Sequence, residues 1–417
     1  MFDWFTELSK TEKRTFWACF SGWGLDAMDT QMYALTLPTL IVLWGMTKGQ
    51  AGLLGTAVLI MAAFGGWIAG IMADRYGRVR MLQITIIWFS LFTFFSGFTH
   101  SFWELLFTRS LQGLGFGGEW AVGSVLISET IGPKVRGRVV GAIQAGWAFG
   151  YGLAVICSTA LFTYLPPDRA WRIFFFLGLL PALLVLWIRR NIEEAPVFKE
   201  SRADTAKASI WEVFGSSHRA TTFKATLLTF GIYGGNYVMI TWLPAYLKLV
   251  LHLSIAKVGG YLALNILGTF TGAFLNGWMA DALGRRKTFI IIAISQATTV
   301  AIYTMTPINL TVTLILGFML GTLQSGTAAG TGAYLAELFP TRIRGSAQGL
   351  CGNAGRALGA VMPTLVGVFA ANMKLAVAMG LCACTAYMLI VVAALWLPET
   401  RGRNLRMVDE ETLAATR

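Results

Sequence analysis

Along this chain, long apolar blocks alternate with short polar breaks. Met61–Ile71, Ile84–Phe98, Phe174–Ile188 and Ala376–Leu397 are examples, and the last holds no charged residue. A bilayer core of about 30 Å needs roughly 20 apolar residues in a helix. The blocks predict twelve spanning helices, over 16–40, 50–73, 81–100, 102–126, 138–162, 170–188, 222–247, 256–280, 288–305, 309–334, 345–371 and 376–397. The longest polar stretch, Arg189–Arg219, separates the first six from the last six.

The two sets are related. Gly70-Ile-Met-Ala-Asp74-Arg75-Tyr-Gly77-Arg78 after the second span recurs as Gly277-Trp-Met-Ala-Asp281-Ala-Leu-Gly284-Arg285 after the eighth, offset by 207 residues. Glu129-Thr-Ile-Gly-Pro-Lys-Val-Arg136-Gly137 recurs as Glu337-Leu-Phe-Pro-Thr-Arg-Ile-Arg344-Gly345, offset by 208. Two independent motifs at one spacing indicate duplicated halves. The organisation expected is a six-helix half over 1–190, a linker over 191–220 and a second six-helix half over 221–417, an all-α membrane protein.

Composition agrees: 55% of the 417 residues are hydrophobic and 13% charged. The formal net charge of +12 would suit a polyanion partner, but its distribution argues otherwise. Of the 33 Lys and Arg, six (Lys48, Arg169, Arg172, Lys248, Lys257 and Lys374) fall on one side of the predicted spans and two, Arg109 and Arg356, within them; the other 25 share the opposite side. This is the positive-inside asymmetry. It places both termini in the cytoplasm and leaves no reason to invoke nucleic acid. The polar first 15 residues run straight into a full-length span, unlike a cleavable signal. Cys19, Cys157, Cys351, Cys382 and Cys384 all fall in spans, and His100, His218 and His252 in loops or at span ends. Neither set has metal-ligand spacing, and no P-loop or nucleophile–base cluster is present. No metal, cofactor or enzymatic activity is expected.

On the repeated loops the chain resembles the major facilitator superfamily over its whole length. The resemblance implies a transporter of two pseudo-symmetric six-helix halves. Asp74, Arg75, Arg78, Glu129 and Arg136, with Asp281, Arg285, Glu337 and Arg344, then form a cytoplasmic gate. Asp74 and Asp281 can cap a helix or pair with the arginines, while the glycines permit a tight turn. Solvated positive-inside charges would be the plainer explanation, but they would not need Asp and Gly at fixed places twice. Gly117-Gly118-Glu119-Trp120 in span 4 is similar to the sialate, shikimate, dicarboxylate and osmolyte symporters, as Trp171-Arg172 through Arg189-Arg190 is to the sialate-type branch. Asp26-Ala-Met-Asp29 looks like the Asp-Gly-Phe-Asp element of sialate/lactate and aromatic-acid symporters, with Ala27-Met28 in place of Gly-Phe. The nearer resemblance is therefore to organic-acid:proton symporters.

Asp26, Asp29, Arg109, Glu119 and Arg356 are the five ionisable residues well inside the predicted spans. Each costs at least ~2.5 kcal/mol at mid-bilayer unless it faces a partner or water. At 1.5 Å per residue, Asp29 and Arg109 both lie about 10 Å below the outer surface, and Asp26 is one turn deeper on the same face. Pairing with Arg favours the charged carboxylate and desolvation the neutral acid, so Asp29 is the expected proton carrier, Arg109 its switchable partner and Asp26 an assistant. A permanent ion pair that orients helices is the alternative. Proton-coupled sugar porters are similar, with an Asp-Thr in span 1 and an Arg in span 4. Glu119 serves as an inner relay or as a structural partner of the loop charges.

Arg356 lies about 16 Å deep, near the midplane, where transporter substrates bind, and its planar fork suits a carboxylate. Pairing with Glu119 or a backbone carbonyl is the alternative. Adding 207 to Asp26 and Asp29 gives Tyr233 and Asn236, neutral groups where the first half has acids. Tyr233, Asn236, Asn265, Gln324, Asn353 and Gln144 join Arg356 as candidate substrate contacts, with Tyr237 and Trp147 as further lining. Trp242 reads as an interface-belt aromatic. The function expected is proton-coupled uptake of a small organic acid anion (a monocarboxylate, sialate-like or aromatic acid) by alternating access. The expected setting is a bacterial inner membrane, with a monomer in the bilayer. A proton-coupled sugar or drug carrier of the same fold is the alternative, and a transporter-like sensor a more distant one.

Overall fold

The computed structural model describes residues 3–6, 8–131, 136–192, 218–306, 309–340 and 343–401. Among them the regular structure is helical throughout. After a short α1 (Asp3–Thr6) come α2 (Lys10–Trp44), α3 (Lys48–Tyr76), α4 (Arg78–Ser96), α5 (Phe102–Thr130), α6 (Arg136–Tyr164), α7 (Pro167–Phe176) and α8 (Leu180–Asn191). Then follow α9 (Arg219–Leu249), α10 (Ile255–Leu283), α11 (Arg285–Met305), α12 (Leu310–Leu338), α13 (Arg344–Gly359), α14 (Met362–Phe369) and α15 (Leu375–Trp396).

Every predicted span has its helix, and two are broken. The span over 170–188 is α7 and α8 joined by a 3-10 turn, Leu177–Leu179, with Pro181 in the first turn of α8. The span over 345–371 is α13 and α14, with Pro363 in the first turn of α14. Proline lacks the N–H that a continuous helix would use, so it restarts a helix more readily than it continues one. Elsewhere the helices overrun the apolar blocks. α2 begins at Lys10 because Ser9 and Glu12 form a reciprocal capping box. Among the described residues, six helices are long and apolar enough to cross a bilayer on length and composition alone. Neither α2, with Asp26 and Asp29, nor α5, with Arg109 and Glu119, is among them.

The chain divides into two compact units, Met1–Thr205 with Leu247–Gly259, and Ala206–Tyr246 with Gly260–Arg417. Most of the expected linker, 193–217, lies outside the described residues.

In the first unit α3 and α5 meet through glycine. A Cβ on Gly117 would stand 1.7 Å from the Ala62 carbonyl oxygen, and one on Gly65 would stand 1.9 Å from that of Leu114. α2 and α6 meet in the same way, with Gly150 against the Gly24 carbonyl at 1.6 Å from the would-be Cβ. The second unit repeats the first seam between α10 and α12. Gly272 packs on the Thr322 carbonyl at 1.9 Å and Gly321 on that of Asn265 at 2.0 Å, again measured from a would-be Cβ. Gly65 and Gly272 are 207 residues apart, and Gly113, whose would-be Cβ lies 2.4 Å from the Val58 carbonyl oxygen, is 208 before Gly321, so the repeat legible in the loops extends to the helix seams. Close backbone approach of this kind is how helices associate where lipid removes the hydrophobic drive.

The loop repeat has a conformational cause. Gly77 and Gly284 separate α3 from α4 and α10 from α11, with φ of 105° and 95°. A side chain is strained there, so the motif keeps glycine at both positions. Outside the seams, large apolar side chains such as Phe64, Trp67 and Ile71 of α3 face outward, a surface that belongs in hydrocarbon.

Candidate functional site

In the first unit Asp29 is surrounded by donors. Arg109 Nη1 lies 3.2 Å from Oδ1 and 3.4 Å from Oδ2, Thr93 Oγ1 donates to Oδ1 at 2.5 Å, and the Gln112 amide donates to Oδ2. α5 supplies both Arg109 and Gln112, one turn apart, and α4 supplies Thr93. The guanidinium also lies 5.8 Å from the Tyr33 ring and 5.6 Å from the Phe175 ring. Both charges are buried, at 2% and 1% exposure. A buried carboxylate with a cation and two further donors is a well-compensated charge. Thr93 and Gln112 give no sign of this role in the sequence, since Thr and Gln occur in many spans.

Asp26, fully buried on α2, meets Glu119 of α5. Glu119 Oε1 rests against Gly22, one turn before Asp26, where a Cβ would stand 2.3 Å from it. The Cys19 thiol, one further turn back, bonds the Gly123 carbonyl of α5 at 3.5 Å. Glu119 thus belongs with Asp26 among the helices, not with the loop charges. Beside them Trp147 of α6 packs on Trp23 at 5.0 Å between ring centroids.

In the second unit Arg356 of α13 lies over Tyr233 of α9, 5.1 Å from its ring centroid, and Tyr233 stacks on Tyr237 at 5.8 Å. Gly355 and Gly359 flank the arginine and let α13 close on α9, against Thr229 and the Tyr233–Gly234 backbone. Asn236 turns elsewhere. Its Oδ1 accepts from Gln296 at 3.4 Å and from the Tyr387 hydroxyl at 3.5 Å, joining α9 to α11 and α15. Gln324 adjoins the same hydroxyl. Asn265 is buried and donates to the Gly317 carbonyl at 2.9 Å, pinning α10 to α12, while Asn353 is exposed. Trp242 corrects an expectation: it is fully buried, its indole bonded to the Pro363 carbonyl at 3.0 Å, where an interface-belt residue would face the membrane surface. The indole therefore bonds a carbonyl in the first turn of α14.

At the repeated loop of this unit Arg285 pairs with Glu337 at 3.3 Å. The pair is extended by the segment after α15, which sequence reading passed over. Glu399 accepts the backbone N–H groups of Arg285 at 2.8 Å and Arg286 at 3.2 Å, capping α11. Thr400 donates to Glu337 at 2.5 Å, and the Tyr334 hydroxyl to the Pro398 carbonyl at 2.8 Å. A Pro-Glu-Thr directly after the last apolar block was the available signal. In the first unit Arg78 is buried in the first turn of α4, and Arg75 is exposed over Tyr76. The side chains of Asp74, Glu129, Arg136, Gln144, Asp281 and Arg344 lie outside the described residues.

The comparisons agree with this geometry. The family model of the Major Facilitator Superfamily matches residues 19–272 and 225–412. The chain is 41% identical over 413 residues to a protein of Cupriavidus pinatubonensis named as a probable 4-methylmuconolactone transporter, covering 98% of this chain and 96% of that one. It is 30% identical over 406 residues to the cis,cis-muconate transport protein of Acinetobacter baylyi, covering 94% and 95%. A solved D-xylose-proton symporter superposes with a TM-score of 0.75 at 20% identity, over 94% of this chain and 99% of that one. Duplicated loops, duplicated seams and full-length relatives lead to one conclusion: this chain is a multi-pass membrane transporter, not an enzyme, and belongs to the Major Facilitator Superfamily.

Proposed function

We propose that the protein carries a small organic acid anion into the cell together with protons, by alternating access. The observation that carries the substrate reading is Arg356, a guanidinium inside a spanning segment, set over Tyr233 with Tyr237 behind it. A planar fork binds carboxylate in a bidentate manner, and flanking rings favour a flat, unsaturated carbon frame over a neutral sugar. The relatives named for 4-methylmuconolactone and cis,cis-muconate support an acid of that size and unsaturation. Asp26, Asp29, Arg109 and Glu119 supply the titratable machinery, and the loop clusters around Arg78, Arg285 and Glu337 the cytoplasmic gate. The termini then lie in the cytoplasm of a bacterial cell whose inner membrane holds the protein as a monomer.

The test is uptake into proteoliposomes under an imposed inward proton gradient, with a panel of cis,cis-muconate, 4-methylmuconolactone, lactate, benzoate, sialate and xylose, repeated for Arg356→Ala. Acid uptake that follows the gradient and collapses in the variant is expected. Preference for xylose, or acid uptake indifferent to Arg356, would overturn the substrate reading.

A further inference from the structure

We propose that Asp26 and Glu119 share a single proton, and that this proton, not one on Asp29, is the one exchanged during transport. The proposal rests on the proton-coupled reading above and names where the ion is held.

Asp29 is a poor place for it. Both its oxygens accept from side-chain donors, Arg109 and Thr93 on Oδ1 and Arg109 and Gln112 on Oδ2. An added proton would point a donor at donors and strand a buried guanidinium.

Asp26 and Glu119 have the opposite surroundings. They are 0% and 2% exposed, and their carboxyl groups lie side by side. An ionised carboxylate is acceptor-only, so two that meet need a proton between them. Two bare negative charges at such separation in a low dielectric do not both persist, and the pair titrates as a unit. Gly22 makes the meeting possible, because any side chain there would occupy the place of Glu119 Oε1.

Among the described side chains, the other charges nearby do not remove this requirement. α2 presents Cys19 and the already paired Asp29, and α5 presents Arg109, whose charge Asp29 takes up. Facing segments 49–73 of α3, 82–98 of α4, 141–149 of α6 and 180–188 of α8 contain no Asp, Glu, His, Lys, Arg, Cys or Tyr. Arg78 sits at the start of α4, beyond that stretch. When the two carboxyls are parted or wetted, the acid ionises, two carboxylates remain and one proton passes to water. Their reunion takes one back.

The experiment uses the full chain in liposomes, with two readouts. Infrared titration should show a protonated-carboxyl band at neutral pH whose frequency and midpoint both shift in Asp26→Asn and in Glu119→Gln, where a lone buried acid replaces the shared proton, but stay in place in Asp29→Asn. In transport, an inward gradient of one pH unit sustains about tenfold accumulation of cis,cis-muconate for each coupled proton, and both pair variants should show none above protein-free vesicles. Gly22→Ala keeps both acids and should shift the midpoint of the band, which guards against a misfolded Gln or Asn variant. A band unmoved in both pair variants, a midpoint unmoved in Gly22→Ala, or wild-type accumulation in Glu119→Gln would overturn the proposal. Wild-type uptake of every acid in the panel that ignores the gradient would instead overturn the proton-coupled reading beneath it.

Discussion

Glu399 Oε1 accepts the backbone N–H of Arg285 at 2.8 Å, so a residue beyond the last helix caps the eleventh. The cap holds the N-terminus of α11, whose preceding glycine sits at φ 95° and offers no side chain of its own. Glu399→Ala should lower stability by about 1 kcal/mol, the usual worth of an N-cap. Thermal unfolding in detergent would read it as a fall in melting temperature, and Glu399→Asp should recover part of the loss.

The Asp29–Arg109 pair should behave as one object. Removing a single partner of a buried pair costs about 3–5 kcal/mol, because the other charge is left without compensation. Asp29→Asn and Arg109→Leu should each destabilise strongly. The double variant should lose clearly less than the sum, and a double-mutant cycle of melting temperatures checks this. Additive losses would mean that Thr93 and Gln112 satisfy the carboxylate without the arginine.

Arg356→Lys keeps the charge and removes the fork. Counterflow of cis,cis-muconate in proteoliposomes should weaken about tenfold in apparent affinity, equivalent to about 1.4 kcal/mol. Tyr233→Phe keeps the ring under the guanidinium and should stay near wild type, whereas Tyr233→Leu should fall with Arg356→Lys.

Two glycines of the first unit should respond in opposite ways to alanine. At Gly117 the new methyl would meet the Ala62 carbonyl at 1.7 Å, a backbone atom that cannot swing aside. Gly117→Ala should sharply reduce folded yield. At Gly152 nothing lies within 4 Å of the new carbon. Gly152→Ala, inside α6, should therefore be neutral or stabilising by up to about 1 kcal/mol. Size-exclusion profiles and melting temperatures of the two variants make the comparison.

The twelve spans and the duplication were legible because apolar run length and repeated loops report on them directly, whereas the early start of α2 and the breaks at Leu177–Leu179 and Ala360–Val361 depend on capping and proline and were not read. Depth arithmetic also brought Asp29 and Arg109 to one level. It failed for Glu119, ten residues beyond Arg109 and thus about 15 Å deeper along a straight helix, yet meeting Asp26 only three residues from Asp29. Helices that cross at an angle bring unequal depths together, and Gly22 admits the long Glu side chain, neither of which a linear count registers. Tyr233 and Asn236 share a face by spacing, yet one turns to Arg356 and the other to Gln296 and Tyr387, a choice set by which helices flank α9. Glu399 was missed because the span pattern ends before it.

The glycine seams have a mechanical consequence. Where a carbonyl of one helix rests against the α-carbon of the next, no side chain remains to roll or slide, and the joint has no play. α3 with α5, and α10 with α12, act as welded beams. Compliance within each half is then concentrated at the proline-marked breaks, Leu177–Leu179 before α8 and Ala360–Val361 before α14. The second break lies a single turn beyond Arg356, so under the proposed function the arginine that would hold the anion sits beside a joint, not within a welded beam.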